Sequence, residues 1–247
     1  MHYDKYFGRQ QKVYLINISE ERDPTVYNSF TGSVLICNES YILLKTAYRL
    51  FSNDQGELHP GMQFKLTTEA LGMGVQLRAE LMELVSPEEL RLRPLGELSV
   101  YQRRQTTRTD LRLPFLHVAQ KSSLASFQRE WRRVIQDLHA PAPPRLKLTE
   151  TNLNLSAGGF RIELPDEPSH LALAVIDLQD GKPPVCAVAE LVWHRRNEDQ
   201  EGTILCGHRF VEILKDDQER LLTTISKLAG GPGALTKQRE LLDRMES

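Results

Sequence analysis

The sequence has few cysteines and no marked excess of either charge. Its three cysteines, Cys37, Cys186 and Cys206, form no CxxC pair, which excludes the common zinc-binding and dithiol redox motifs. We expect Cys186 and Cys206, which lie in apolar runs, to be buried thiols. The formal net charge of -2 disfavours a broad basic face for nucleic acid, so we expect no DNA or RNA partner. A net charge near zero does not argue against a small anionic ligand that is bound by a local cluster of arginines.

Long apolar runs are also missing. No stretch reaches the roughly 20 apolar residues that a membrane-spanning helix needs, and the first residues lack the basic-then-apolar order of a secretory signal. We therefore expect a cytoplasmic protein without membrane insertion. The hydrophobic content of 40% and charged content of 26% are typical of a globular protein. A chain of 247 residues has room for two domains, each with its own core.

Catalytic motifs are missing too. There is no P-loop and no HExxH, and the seven histidines are scattered, with no carboxylate at a metal-like spacing. Ser156 lies in a Gly-rich turn, but Asn154 stands where a nucleophile elbow needs glycine. We therefore expect a protein that is not an enzyme and that holds no cofactor or metal.

The first 98 residues alternate short apolar stretches with turns. Residues 75–81 alternate apolar and polar side chains, the pattern of a half-buried antiparallel strand. Residues 38–40 separate two β-rich stretches and predict a hairpin, whose first strand follows residues 31–33. Five or six short strands indicate a small barrel or sandwich, and we place the first domain at residues 1–98.

A second domain is predicted at residues 99–230, with a helix inserted at about 120–144. The helix follows from apolar residues at helical spacing, with Ser122 or Ser123 as its cap and a Pro-rich stretch after it. Three arginines are predicted to form a solvated face, with docking of a partner or covering of a ligand as the alternative. The apolar positions are Leu124, Phe127, Trp131, Val134, Ile135 and Leu138, and the arginines are Arg129, Arg132 and Arg133.

Further strands and a final helix complete this domain. We expect the side chain of Trp193, in the strand that begins near Val185, to pack in the core. Asp216 and Asp217 precede a helical stripe, where acids favour a helix N-terminus. That stripe consists of Leu221, Leu222, Ile225 and Leu228. Residues 231–247 form a C-terminal tail, in which the stretch from Leu235 to Met245 is expected either to form one more short helix or to be frayed.

One basic stretch lies between the predicted domains. Residues 101–112 hold Arg103, Arg104, Arg108 and Arg112 with one acid, Asp110. Because no apolar periodicity appears before Leu111, we predict an extended arm over residues 98–112 that leads into a strand at 111–118. Arginine presents a planar fork to a phosphate or to the O6/N7 edge of guanine. Short basic runs are commonly solvated, so this stretch alone is a weak indication of a ligand site.

A polar turn ending in glycines lies further along the chain. Asn154 and Ser156 point to the same side if the backbone is extended. Gly158 and Gly159 permit a close approach of the backbone to a ligand, or a positive φ. A plain β-turn would need nothing more than these residues.

Taken together, Arg104 and Arg108 followed by Asn154, Ser156 and Gly159 reproduce the pattern RxxxR and [DN]xSxxG. In this the chain resembles the PilZ family, the bacterial receptors for cyclic di-GMP. The resemblance covers roughly residues 99–230 and implies a six-stranded antiparallel barrel. It also suggests a split-barrel-like N-terminal domain of the flagellar-brake type. The expected fold is therefore mainly β, with two small β-barrels, the inserted amphipathic helix and C-terminal helices.

The resemblance also implies a role for each matched residue. Arg104 and Arg108 would bind guanine edges and phosphates, and Asn154 would hydrogen-bond a guanine. Ser156 would contact a phosphate or a base, and Gly159 would allow close approach. In the family, an arginine at the position of Arg103 goes with binding of a stacked, intercalated pair of ligand molecules. A family aromatic often lies near the ligand, and the resemblance leaves this position open for Trp193.

The implied function is a cyclic di-GMP receptor. Binding at the interdomain arm would change the arrangement of the domains and signal to a protein partner that the sequence does not identify. The processes that such a signal would control are motility, biofilm formation and secretion. The alternative is a degenerate PilZ scaffold that binds a protein and no nucleotide.

Overall fold

The structure is a computed structural model that describes residues 3–50, 58–70, 73–101, 108–197 and 202–228. The chain divides into two units. Unit 1 consists of Met1–Arg104 with Ser122–Ser126, and unit 2 consists of Gln105–Lys121 with Phe127–Ser247.

Unit 1 is a closed antiparallel barrel. Its strands are β1 (Lys12–Asn17), β2 (Val26–Cys37), β3 (Ile42–Thr46), β4 (Gln63–Ala70), β5 (Met73–Ser86) and β6 (Glu89–Tyr101). They pair in the order β1-β2-β3-β6-β5-β4, and β4 pairs with β1 to close the ring. Alternate side chains fill the interior, where Phe30 and Phe64 meet edge to face with ring centroids 5.6 Å apart. Closure removes the open edges that would otherwise pair with other chains.

The strands of unit 1 are longer than the sequence predicted. β2, β5 and β6 contain 12, 14 and 13 residues, and residues 31–33, predicted to precede a strand, lie inside β2. Register shifts interrupt the β5–β6 pair, and such bulges let long strands bend around a barrel. The hairpin at residues 38–40 is confirmed, with Cys37 opposite Ile42.

Unit 2 is a second closed antiparallel barrel with two helices. Its elements are β7 (Thr109–Ala119), α1 (Leu124–Leu138, of which residues 124–126 belong to unit 1), β8 (Thr149–Ser156), β9 (Gly159–Leu164), β10 (Leu171–Ile176), β11 (Val185–Arg196), β12 (Ile204–Leu214) and α2 (Lys215–Leu228). The strands pair in the order β7-β8-β9-β12-β11-β10, and β10 pairs with β7. The predicted mainly-β fold of two barrels with an inserted helix is therefore confirmed. Among the described residues, neither helix is long and apolar enough to cross a membrane.

Helix α1 follows the prediction closely. The Ser123 hydroxyl accepts a hydrogen bond from the main-chain amide of Ser126 (3.3 Å), which caps the first turn. Trp131 is buried, as predicted, and its indole Nε1 donates to the carbonyl of Cys186 (2.8 Å). The arginines of the helix are exposed, as predicted, whereas Val134 and Ile135 are only half-buried.

Helix α2 is anchored by one arginine. The Arg220 guanidinium donates to the Asp217 carboxylate (2.6 Å) and to Asp180 in the loop after β10 (2.9 Å). Asp217 is buried. Burial raises the pKa of Asp217, and Arg220 acts in the opposite direction. One predicted apolar position is wrong, because Leu228 at the helix end is 58% exposed.

The two described ends of the predicted arm at residues 98–112 are extended, as predicted, but they are paired within the two barrels. Residues 98–101 belong to β6, where Val100 pairs with Val75, and residues 109–112 belong to β7, where Leu111 pairs with Leu153. The first strand of unit 2 therefore begins at Thr109 and not at Leu111 as predicted, because main-chain pairing in a sheet does not require apolar periodicity. Residues 102–107 and the predicted tail at 231–247 lie outside the described residues.

Candidate functional site

The glycine-ended turn is the tip of the β8–β9 hairpin. Ser156 and Gly159 pair across a two-residue turn, and the Ser156 hydroxyl donates to the carbonyl of Gly159 (3.0 Å). Ser156 is only 4% exposed, and its hydroxyl proton is used in this hydrogen bond, which closes the turn. The structure thus gives Ser156 a structural role, and its contact with a ligand stays a prediction.

Gly159 is required by the neighbouring strand. Its φ is +156°, and a Cβ at this position would lie 2.9 Å from the Cα of Arg209 and still closer to the carbonyl oxygen of His208. Both atoms belong to the main chain of β12, which cannot move without breaking the barrel. The close approach inferred from the sequence is therefore one between β9 and β12. An approach to a ligand at Gly159 stays a prediction.

Asn154 lies on the outer face of the barrel and is held by Asp110. The Asn154 Nδ2 donates to the Asp110 Oδ1 (2.8 Å), and the Arg161 Nη2 lies 3.5 Å from the same oxygen. The Asp110 side chain is 80% exposed. An amide, a carboxylate and a guanidinium thus meet on one face, at positions contributed by three different strands.

The pairing registers extend this group into a row across five strands. Asp110 of β7 is opposite Asn154, Asn154 is opposite Arg161, Arg161 is opposite Gly207, and Gly207 is opposite Trp193 of β11. Residues directly opposite in antiparallel strands share a face, and neighbouring strands lie about 4.8 Å apart. The row therefore presents an acid, an amide, a base and an aromatic ring on one continuous outer surface.

Trp193 is on this surface and not in the core, contrary to the sequence prediction. It is 37% exposed, and its indole covers Gly207, where a Cβ would come within 2.9 Å of the ring Cδ1. A register shift between Leu191 and Trp193 explains the error. Leu191 is opposite the buried His208, and the extra residue in β11 turns Trp193 to the other face. The Arg195 guanidinium carbon lies 5.9 Å from the ring centroid, within cation–π range.

A cleft of about 360 Å³ opens beside Asn154, between β7, β8 and β9. Its polar rim consists of Asp110, Arg112, Asn152, Asn154, Arg161 and Glu163. Sequence reasoning did not select Asp110 or Arg161. A signal for Arg161 was present, because it alternates with Phe160 and Ile162, which are buried, and so had to face outward.

The predicted arginines are placed only in part. Arg108 is exposed directly before β7, and Arg112, inside β7, faces Glu150 at 3.8 Å. Arg103 and Arg104 lie outside the described residues. The structure therefore brings Asn154 together with Asp110 and Arg161, and it places Trp193 further along the same row. It does not test the grouping of Asn154 with the arginines of the signature.

Two histidines lie in the interior of the barrel, behind the hairpin. The His208 ring stacks on Phe160 with centroids 4.9 Å apart, and the His117 ring lies 5.3 Å from it. Burial, followed by the nearby His117, lowers the pKa of His208 to about 3. Burial also lowers the pKa of His117. Both rings are therefore neutral at pH 7, and these interior residues form no part of the outer surface. Within the described residues, no cluster of three or more potential metal ligands exists.

Comparison with known proteins gives one family. The PilZ domain family matches residues 102–227, which is half of the chain and contains both parts of the signature. No curated protein matches the chain.

Several solved structures show distant likeness over both units. The Bacillus subtilis inhibitor of motility MotI/DgrA is 15% identical, with 90% of this chain and 97% of that chain covered and a TM-score of 0.36. YcgR of Escherichia coli, solved with c-di-GMP, is 13% identical, with 99% and 100% covered and a TM-score of 0.30. The K. pneumonia MrkH–c-di-GMP complex is 16% identical, with 89% and 87% covered and a TM-score of 0.32. At such values the family assignment depends on the sequence match.

Proposed function

Because the chain belongs to the PilZ domain family, we propose that it is a receptor for cyclic di-GMP, bound on the outer face of the second barrel. The observation that carries the proposal is the row of Asn154, Arg161 and Trp193, which lies on one face beside the start of β7. Arg108 precedes that strand directly. A dinucleotide needs donors and acceptors for its bases, cations for its phosphates and apolar surface for stacking. This face supplies each kind.

In the proposed complex, Arg104 and Arg108 bind phosphates and guanine edges with charge-assisted hydrogen bonds. The Asn154 amide binds the edge of one guanine, and Arg161 adds a cation close to it. The Trp193 ring offers a face for stacking, and base–aromatic stacking is worth about 1–3 kcal/mol per base. Ser156 and Gly159 stabilise the hairpin that presents Asn154. By the matched pattern, each of them also contacts the ligand in the proposed complex.

Arg103 extends this proposal to stoichiometry. A stacked pair of ligand molecules carries twice the phosphate charge of one, and an additional guanidinium can stack on a base or bridge phosphates. Two ligands per chain are therefore expected. Arg103→Leu should lower the ratio in a calorimetric titration while binding persists, and an unchanged ratio would exclude this role.

Signalling is proposed to follow from chain connectivity. Residues 102–107 join β6 of unit 1 to β7 of unit 2, so a ligand bound by Arg103, Arg104 and Arg108 restrains the connection. The ligand can shift the arrangement of the units only through a difference in its affinity for the two arrangements. On binding, we expect slower hydrogen exchange at residues 102–108 and a changed solution scattering profile. Unchanged exchange and scattering at saturating ligand would exclude this mechanism and leave binding intact.

The test of binding itself is a calorimetric titration with cyclic di-GMP. We expect micromolar or tighter affinity for the wild type. Loss of one charge-assisted contact costs about 1.5–3 kcal/mol, so Arg108→Ala should weaken binding by roughly tenfold or more. Arg133→Ala is the matched control, since it removes one exposed arginine from α1, outside the proposed site. Equal affinity of the wild type and the Arg104→Ala/Arg108→Ala double variant would refute the assigned site. Absence of any binding by the wild type would refute the receptor function and favour the protein-binding scaffold.

A further inference from the structure

The side chain of Asn154 has a fixed orientation. An asparagine amide has a donor end and an acceptor end, and its neighbours decide which end faces a ligand. Here the Nδ2 donates to the Asp110 carboxylate at 2.8 Å. An ionised carboxylate can only accept hydrogen bonds, so the opposite orientation would place two oxygens against each other. Asp110 therefore directs the Asn154 Oδ1, an acceptor, away from itself.

We propose that Asp110 is a positioning residue that makes the site selective for guanine over adenine. The inference rests on the proposed function and adds to it the source of base specificity. On its Watson–Crick edge guanine carries two neighbouring donors, N1–H and the exocyclic N2 amino group, whereas adenine has an acceptor at N1. The single donor of adenine on this edge, its N6 amino group, lies where guanine has O6, so an acceptor that Asn154 holds opposite guanine N1–H would meet the N1 acceptor of adenine. A site built to bind a particular donor discriminates strongly against an analogue that lacks it.

An electrostatic effect of the Asp110 charge on binding and a positioning effect of Asp110 on Asn154 have different consequences. A carboxylate beside a ligand with two phosphates repels it, even though Arg161 lies 3.5 Å from the same Asp110 oxygen. If charge were the whole effect, removal of Asp110 would tighten the binding of cyclic di-GMP and cyclic di-AMP by the same factor, because their backbones carry equal charge. If Asp110 positions Asn154, its removal instead changes the ratio of the two affinities. The Asn154 amide could then present its donor end to adenine.

The experiment measures the dissociation constants of cyclic di-GMP and cyclic di-AMP for the full chain. Well-placed contacts to a base edge discriminate between bases, so Asp110→Ala should reduce the preference for cyclic di-GMP by roughly tenfold or more. In an Asn154→Ala background, the same substitution should leave the ratio unchanged, because the amide that Asp110 positions is gone. Asp110→Asn retains the size but can either donate or accept, so it should give an intermediate preference.

Glu163→Ala is the matched control. It removes another carboxylate from the rim of the same cleft, two residues along β9 from Arg161, and should shift both affinities by one common factor. Asp110 is exposed, so its variants should keep the unfolding midpoint of the barrel. An unchanged affinity ratio in Asp110→Ala would overturn the positioning role while the receptor function stands. A wild type that binds both nucleotides equally would overturn the selectivity. A wild type that binds neither would overturn the receptor function together with this inference.

Discussion

Replacement of His208 by leucine should make the second barrel less sensitive to acid. His208 is 5% exposed, and its ring contacts the rings of Phe160 and His117. Among the described residues, neither of its ring nitrogens has a hydrogen-bond partner. A protonated imidazolium at this place would be a charge in an apolar interior with a second imidazole beside it. Leucine has a similar volume and no charge.

The magnitude follows from the difference in pKa between the folded and unfolded states. The pKa of His208 is 6.5 in the absence of the fold, and burial lowers it to about 3 in the folded protein. Above pH 6.5 both states are neutral, and this residue causes no pH dependence. Between pH 6.5 and 3 only the unfolded state binds the proton, so folding stability falls as the pH falls, by about 1.4 kcal/mol per unit. From pH 7 to pH 5 the loss through His208 is therefore about 2 kcal/mol.

Urea unfolding at the two pH values measures this loss. Both tryptophans of the chain, Trp131 and Trp193, lie in unit 2, so intrinsic fluorescence reports the unfolding of that unit. Other titrating groups contribute equally to the wild type and to His208→Leu, so the two pH-dependent losses should differ by about 2 kcal/mol. His170→Leu is the control, since His170 is exposed in the loop before β10, and it should retain the wild-type loss. Equal losses for the wild type and His208→Leu would refute the reasoning that His208 stays neutral in the fold.

Two further substitutions test the supports of the site. Gly159→Ala should destabilise unit 2 by about 3 kcal/mol, because its Cβ would collide with the main chain of β12. The control Gly158→Ala, which has open space around the added atom, should destabilise the unit by less than about 1 kcal/mol. Equal effects of the two substitutions in urea unfolding would contradict the steric explanation. Arg220→Met should destabilise the same unit by about 3–5 kcal/mol because the buried Asp217 loses its partner. In the Arg220→Met variant, Asp217→Asn should recover part of the loss, and the absence of recovery would contradict the ion-pair explanation.

Much of the architecture was predictable from local patterns. Strand alternation at residues 75–81 and helical spacing from Leu124 to Leu138 each predicted the element that the structure contains. The reason is that burial of one face imposes a period of two on a strand and of 3.6 on a helix. The pattern that places Asn154, Ser156 and Gly159 at a turn was likewise local, and it lies at the tip of one hairpin.

Tertiary structure decided which residues form the surface beside Asn154. Asp110, Arg161 and Trp193 are far apart in the chain, and strand pairing alone brings them into one row. Alternation tells which residues of a strand share a face, but it does not tell which strands are neighbours or in which register they pair. Trp193 shows the consequence, since its even spacing of eight residues from the buried Val185 predicted a core position.

By itself, then, the sequence determined the kind of element in each stretch, the turn chemistry and the two-part signature, because each depends on residues close together in the chain. Closure of the barrel decided the rest. A single extra residue between Leu191 and Trp193 turned the indole outward, and the approach of β12 made Gly159 obligatory. The pairing of β7 with β8 placed the Asp110 carboxylate on the Asn154 amide. These outcomes depend on contacts between strands that are distant in the chain, and no local pattern encodes their register.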